Sequence, residues 1–161
     1  MRRIVAFGAI VVLGCTGSPR EAASSGADSS FAALQTRGAE AMGVDQYTSS
    51  HVFESLPDGG RIVLQRDSLD AAGTNVIRAH MRDIATRFAA GDFSIPGVVH
   101  DQVVPGTSVM SARRDRIRYV ADTLPRGAQV RIVTQDAEAV AAVHAFLAFQ
   151  RMDHRAAGHE H

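Results

Sequence analysis

The sequence predicts an α+β domain built from a duplicated ββα unit, with a four-stranded antiparallel sheet covered on one face by two helices. Two observations predict this fold. The pattern Leu-Pro-x-Gly followed by Arg-Ile-Val-x-Gln occurs twice, at residues 56–65 and at residues 124–135. In addition, an Asp and then apolar residues at helical spacing follow each copy, as expected when a helix follows a hairpin.

The two hairpins are expected over residues 51–65 and 119–135, because in each copy two strand-like runs flank a Pro/Gly turn. The copies align at an offset of 68 before the turn and 70 after it. Hairpins share turn chemistry, so convergent local sequence is the alternative to duplication. The ordered match through both strands and the helix favours duplication, which predicts an approximate two-fold axis.

The two helices are expected over residues 70–90 and 136–155. Asp67 or Asp70 is the candidate N-cap of the first helix and Asp136 that of the second, because a carboxylate accepts hydrogen bonds from the free amides of the first turn. Both helices carry an apolar stripe that would face the sheet.

The first 41 residues are interpreted as a targeting signal and a tether. Residues 1–14 hold two Arg and an apolar run of 11 residues, which is typical of a signal peptide and too short to span a bilayer. The run ends at Cys15 in a stretch that resembles the lipobox of bacterial lipoproteins, whose Cys is acylated; an ordinary signal peptide with an incidental Cys is the alternative. Residues 15–41, rich in Ser, Gly and Ala, predict a flexible tether. We therefore expect an exported lipoprotein, anchored through Cys15 to a cell-envelope membrane on its periplasmic face or at the cell surface.

The rest of the chain is expected to form one domain, residues 42–155, and a disordered tail with two His, residues 156–161. All 17 basic residues are Arg, so no Lys is available for a Schiff base, a pyridoxal-phosphate anchor or a P-loop. A net charge of zero without a long basic run argues against a nucleic-acid partner. Because Cys15 is the only Cys, no disulfide forms within the chain. Motifs of hydrolases, zincins and dinucleotide-binding enzymes are absent from the sequence, so an enzyme is not favoured.

The histidines carry the candidate chemistry. In the repeat, His80 and His144 fall at equivalent helical positions beside the apolar stripes, so both rings should be partly buried. Two imidazoles that approach across a two-fold axis would form half of a metal site or a pair of axial haem ligands. A structural pair bonded to the backbone or to each other is the alternative. His100 and Met110 of the connector are possible further ligands, and a mixed imidazole and thioether set favours copper, chiefly Cu(I).

Three functions follow from this reading. The first is a membrane-tethered protein that binds a transition metal, copper favoured, or haem through His80 and His144. The second is a non-catalytic module that binds another envelope protein and uses the same His pair in its core. The third is an acid–base enzyme of unknown substrate, with His100 and Asp101 in a pocket beneath the connector.

Several distinctive motifs are spread over residues 42–155. They are Met42-Gly43-Val44-Asp45-Gln46, His51, Ile77-Arg78-Ala79-His80, Phe88-Ala89-Ala90-Gly91-Asp92-Phe93, Pro96, Val99-His100-Asp101, Pro105-Gly106, Met110, Ala142-Val143-His144-Ala145-Phe146-Leu147-Ala148-Phe149-Gln150 and Asp153-His154. In these motifs the chain resembles a family of small, uncharacterised exported bacterial proteins. The resemblance implies the same domain limits and includes His80, His100 and His144 in its pattern, but it implies no activity.

Overall fold

The computed structural model describes the backbone of residues 19–43 and 46–156, and the side chains of residues 28–43 and 47–156. Short 3-10 turns, Gln46–Thr48 and Arg114–Arg116, precede the first and third strands. In chain order the elements are α1 (Pro19–Met42), β1 (Ser49–Leu56), β2 (Gly59–Arg66), α2 (Ala71–Ala89), α3 (Ser94–His100), α4 (Thr107–Ala112), β3 (Ile117–Leu124), β4 (Gly127–Thr134) and α5 (Ala137–Asp153). The predicted α+β class is confirmed, whereas the predicted signal peptide, Cys15 and residues 157–161 lie outside the described residues.

The four strands form one antiparallel sheet in the order β1-β2-β4-β3. Each hairpin has a two-residue turn, since Leu56 pairs with Gly59 and Leu124 pairs with Gly127. The strands of the two hairpins start at residues 49 and 59 and at residues 117 and 127, which is a constant offset of 68. The offset of 70 predicted after the turn is therefore wrong, because two turns of equal length leave no place for an insertion.

The register of the sheet has two-fold character at its centre. There β2 pairs with β4, and Ile62 lies opposite Val130. These two residues are also separated by the offset of 68, so the symmetry axis of the register passes between them. The two halves thus share element order and strand register, and their origin by duplication stays a prediction.

Helices α2 and α5 pack on the sheet and enclose the core. Each helix packs mainly against the hairpin of the other half: α2 against β3 and β4, and α5 against β1 and β2. Because side chains alternate across a strand, every second residue of each strand points into this core. Its fully buried members include Leu64, Ile77, Phe88, Val130, Ile132, Val143, Phe146 and Leu147.

The two helices start at equivalent caps. Asp70, rather than Asp67, caps α2, and Asp136 caps α5; each side chain accepts a hydrogen bond from a backbone N–H of the first turn. The caps are 66 residues apart, and burial repeats with the same spacing, as Ile77 and Val143 are both 0% exposed. This spacing of 66 defines which residues of α2 and α5 are equivalent.

The predicted flexible tether over residues 15–41 is wrong where the structure describes it, because this part of the chain belongs to α1, which docks on α3. Leu34 is 2% exposed, and Nε of Arg37 donates a hydrogen bond to the carbonyl of Val99 at 2.8 Å. The Ala-rich composition that suggested a linker also has high helix propensity, and one buried Leu with polar side contacts is enough to hold the helix. None of the described helices is long and apolar enough to cross a membrane.

Candidate functional site

A cavity of about 60 Å³ lies among residues of the sheet and of helices α1, α2, α3 and α5. Its wall is apolar except for four histidines and Gln150. The histidines are His51 on β1, His80 on α2, His100 at the end of α3 and His154 immediately after α5. Segments that are far apart in the sequence therefore bring four imidazoles to one cavity.

The imidazoles of these histidines form a row. The ring centroids of His51 and His154 are 5.2 Å apart, with planes 20° from parallel. The rings of His154 and His100 are 5.0 Å apart and perpendicular. At the other end of the row, His80 is close enough to His51 for a charge on its ring to lower the pKa of His51.

Three of the four histidines are uncharged at neutral pH. Burial, followed by the proximity of His80, lowers the pKa of His51 to about 4. Burial, followed by the proximity of His51 and His100, lowers the pKa of His154 to about 3. Burial also lowers the pKa of His80, although Asp83 acts in the opposite direction. A neutral imidazole is the form that binds a metal ion.

The ring of His154 has a buried nitrogen, Nδ1, without a hydrogen-bond partner in the described part of the chain. Leaving a buried polar atom unpaired costs about 1–3 kcal/mol. This cost has no counterpart in the packing of the metal-free protein, so the arrangement is a candidate for a binding function.

His100 is held in a different way from the other three. Its Nδ1 lies 2.5 Å from Oδ2 of Asp153, and its Nε2 lies 2.9 Å from Oε1 of Gln150. Both ring nitrogens are therefore engaged, which leaves none for a metal ion or for proton transfer to a substrate. Asp101, the expected acid–base partner, is exposed in a left-handed backbone conformation with φ of 53°. The carboxylate that orients His100 is thus Asp153 and not its neighbour in sequence.

The predicted approach of His80 and His144 is not observed. His144 does not line the cavity, and its Nε2 is hydrogen-bonded to the carbonyl of Leu56 at 2.9 Å. The prediction paired residues 64 apart, whereas the caps are 66 apart, so the equivalent of His80 is Phe146. An error of two residues rotates a helical position by about 200°, which places it on the opposite side of the helix.

The predicted ligand Met110 is 0% exposed within the core and does not line the cavity. Two other methionines do line it, Met42 at the end of α1 and Met81 on α2. Met42 and Met110 differ by the strand offset of 68, so Met42 has in the first half the position that Met110 has in the second. The thioether expected near the histidines is therefore present, but it comes from other residues.

Among the residues that the structure describes, no three His, Cys, Asp or Glu side chains are arranged to hold a metal ion together. Thioether sulfur is not one of these donors. A site in this cavity would therefore combine imidazoles with sulfur, or would draw the imidazoles together when an ion binds.

The sequence analysis did not place His51 and His154 beside His80. The signals for both residues are local. His51 precedes the core residue Phe53 by two positions on a strand, so both side chains are on the covered face. His154 follows buried Gln150 by four positions and so continues the inner face of α5.

Comparisons of the chain with protein-family models, with curated proteins and with solved structures find no match. The functional argument therefore rests on the cavity.

Proposed function

We propose that the protein binds a transition-metal ion, copper favoured, in the cavity through the imidazoles of His51, His80 and His154. This keeps the class of function that the sequence predicts and the role of His80, and it replaces His144 by His51 and His154. From the sequence we also propose that the protein is exported and is attached to a membrane of the bacterial cell envelope through acylated Cys15.

The observation that carries the proposal is a difference between the two halves of the domain. Three positions that hold histidine at the cavity hold an aromatic residue without imidazole in the other half. By the strand offset and the cap spacing, the pairs are His51 with Tyr119, His80 with Phe146, and His154 with Phe88. The aromatic set packs together as the histidine set does, since the ring of Phe88 lies 5.8 Å from the rings of both Tyr119 and Phe146.

This difference shows what the fold itself requires at the three positions. Phenyl and phenol rings bury comparable area there, so packing alone does not call for imidazole. Imidazole is the more costly choice, because its removal from water is opposed by its polar nitrogens, as the lowered pKa values of His51 and His154 reflect. An ion that accepts the nitrogen lone pairs would offset this cost.

Haem is not part of the proposal. The cavity volume of about 60 Å³ is far below the roughly 300–1,000 Å³ of typical organic-ligand pockets, and haem is larger than most ligands of that class. The acid–base alternative is also weaker than metal binding, because both nitrogens of His100 are engaged by Asp153 and Gln150.

The test replaces each histidine by the residue of the other half. We would prepare the full chain without a purification tag, with His159 and His161 changed to Ala because a tail with two His binds ions nonspecifically. The variants are His51→Tyr, His80→Phe and His154→Phe. Because the fold already accommodates these rings at equivalent positions, we expect all three variants to fold.

Elemental analysis and metal titration are the measurements. We expect about one transition-metal ion per parent chain and a loss of affinity of at least about tenfold in each variant. His144→Ala is the matched control, because His144 lies outside the cavity and should leave affinity unchanged. A parent chain that binds no added ion, or variants that bind as well as the parent, would refute the proposal.

A further inference from the structure

We infer that the ion is cuprous, and that the thioether sulfurs of Met42 and Met81 bind it beside the imidazoles. This inference rests on the proposed function and names the charge and oxidation state of the ion that the cavity takes.

The first argument is the charge of the cavity wall. No Asp, Glu or Cys is among the described residues that line the cavity. Asp83, which acts on the pKa of His80, and Asp153, which binds His100, both lie outside that wall. An ion bound here would therefore be surrounded by neutral ligands and by apolar side chains.

Neutral surroundings discriminate between ions by charge. The cost of moving an ion from water into a medium of low dielectric constant grows with the square of its charge, so it is about four times larger for a divalent ion than for a monovalent ion of the same size. Sites for divalent ions commonly offset the cost with carboxylate or thiolate ligands. The cavity offers neither, which favours a monovalent ion.

The second argument is the sulfur in the wall. Met81 adjoins His80 on α2 and is 2% exposed, and Met42 enters the cavity wall from the end of α1. Soft thioether ligands select Cu(I) over the harder divalent ions. The position equivalent to Met81 in the other half holds Leu147, which is fully buried, so packing does not require sulfur at that position.

The experiment compares ions of different charge under anaerobic conditions. Cu(I) affinity is measured by competition with a chromophoric Cu(I) chelator, Ag(I) is the redox-inert monovalent probe, and Zn(II) and Co(II) are the divalent probes. We expect Cu(I) and Ag(I) to bind with a stoichiometry of one and at least about 100-fold more tightly than the divalent ions.

Variants test the sulfur ligands. Met42→Leu and Met81→Leu conserve volume and should fold, which circular dichroism verifies. Each should lower Cu(I) affinity by at least about tenfold and weaken the copper–sulfur signal in X-ray absorption. Met110→Leu is the matched control, because Met110 has the equivalent position in the half without the cavity.

The outcomes separate this inference from the proposal on which it rests. Zn(II) binding as tight as that of Cu(I), or unchanged Cu(I) affinity in both Met variants while His51→Tyr loses it, would overturn the cuprous thioether site and leave the metal-binding function standing. A parent chain that binds neither monovalent nor divalent ions would remove both.

Discussion

His144 and Arg78 make the same contact in the two halves of the domain. Nε2 of His144 is hydrogen-bonded to the carbonyl of Leu56 at 2.9 Å, and a terminal nitrogen of Arg78 donates to the carbonyl of Leu124 at 3.0 Å. The two helix residues are 66 apart and the two carbonyls are 68 apart, which are the offsets of the helix caps and of the strands. Each side chain therefore ties a helix to the end of a strand, just before the proline of the hairpin turn.

This equivalence predicts that His144 contributes to stability and not to metal binding. His144→Ala should lower the free energy of unfolding by about 1–2 kcal/mol, because the carbonyl of Leu56 loses its side-chain donor. His144→Arg, which copies the residue of the other half, should retain more of that stability. Urea denaturation gives the free energies, and a stable His144→Ala variant that has lost its ion would contradict this assignment.

The stability of the metal-free protein should fall as the pH is lowered below about 6.5. An unfolded chain protonates its histidines near that pH, whereas the folded state holds the pKa of His51 at about 4 and that of His154 at about 3. Between these values the unfolded state binds more protons, so acid favours unfolding by up to about 1.4 kcal/mol per pH unit for each histidine.

Urea midpoints between pH 7 and pH 4.5 measure this dependence. Carboxylates also titrate in this range, so the informative quantity is the difference between the parent chain and the His51→Tyr, His154→Phe double variant. The double variant should lose less stability on acidification. Equal slopes for the two proteins would show that the two rings ionise as easily in the folded state as in the unfolded one.

Gln150 and His100 should be energetically coupled. The position equivalent to Gln150 in the other half holds Ile84, so Gln150→Ile fits the core but removes the partner of Nε2 of His100. We expect this variant to lose about 1–3 kcal/mol of stability, because a buried nitrogen is left unpaired. In a double-mutant cycle with His100→Phe, the combined loss should be smaller than the sum by about 0.5–3 kcal/mol. Additive losses would mean that this hydrogen bond contributes no stability.

The docking of α1 should depend on Leu34. Leu34→Asp places a charge in the contact with α3 and should release the helix, whereas Ala33→Asp changes an exposed neighbour and serves as the control. Release frees Arg37 from its bond to the carbonyl of Val99 and exposes it to trypsin. Mass spectrometry should therefore find faster cleavage after Arg37 in Leu34→Asp only, and equal cleavage in both variants would show that Leu34 does not hold the helix.

The hairpins and main helices could be predicted from the sequence because their signals are local. The repeated Leu-Pro-x-Gly turns define both hairpins, and Asp70 and Asp136 mark both helix starts. Helix α1 was not predicted, because its docking rests mainly on a long-range contact of a single buried Leu with α3 rather than on an amphipathic pattern of its own.

The candidate site could be predicted only in part. His80 was identified, but its partners depend on how α5 is aligned with α2, and the repeat of similar residues suggested an offset different from that of the caps. Counting from Asp70 and Asp136 instead pairs His80 with Phe146 and His154 with Phe88. Because the cavity is enclosed by five elements from different parts of the chain, its composition follows from the tertiary structure.

The exchange of helices between the two halves has a consequence for how the protein folds. Since α2 covers β3 and β4 while α5 covers β1 and β2, a half-chain on its own exposes both the inner face of its hairpin and the apolar stripe of its helix. The domain should therefore unfold in one cooperative step, and its folding rate should be limited by pairing strands that are distant in sequence. Two fragments cut in the loop between α3 and α4 should each be unstructured alone and should assemble into the native domain when mixed.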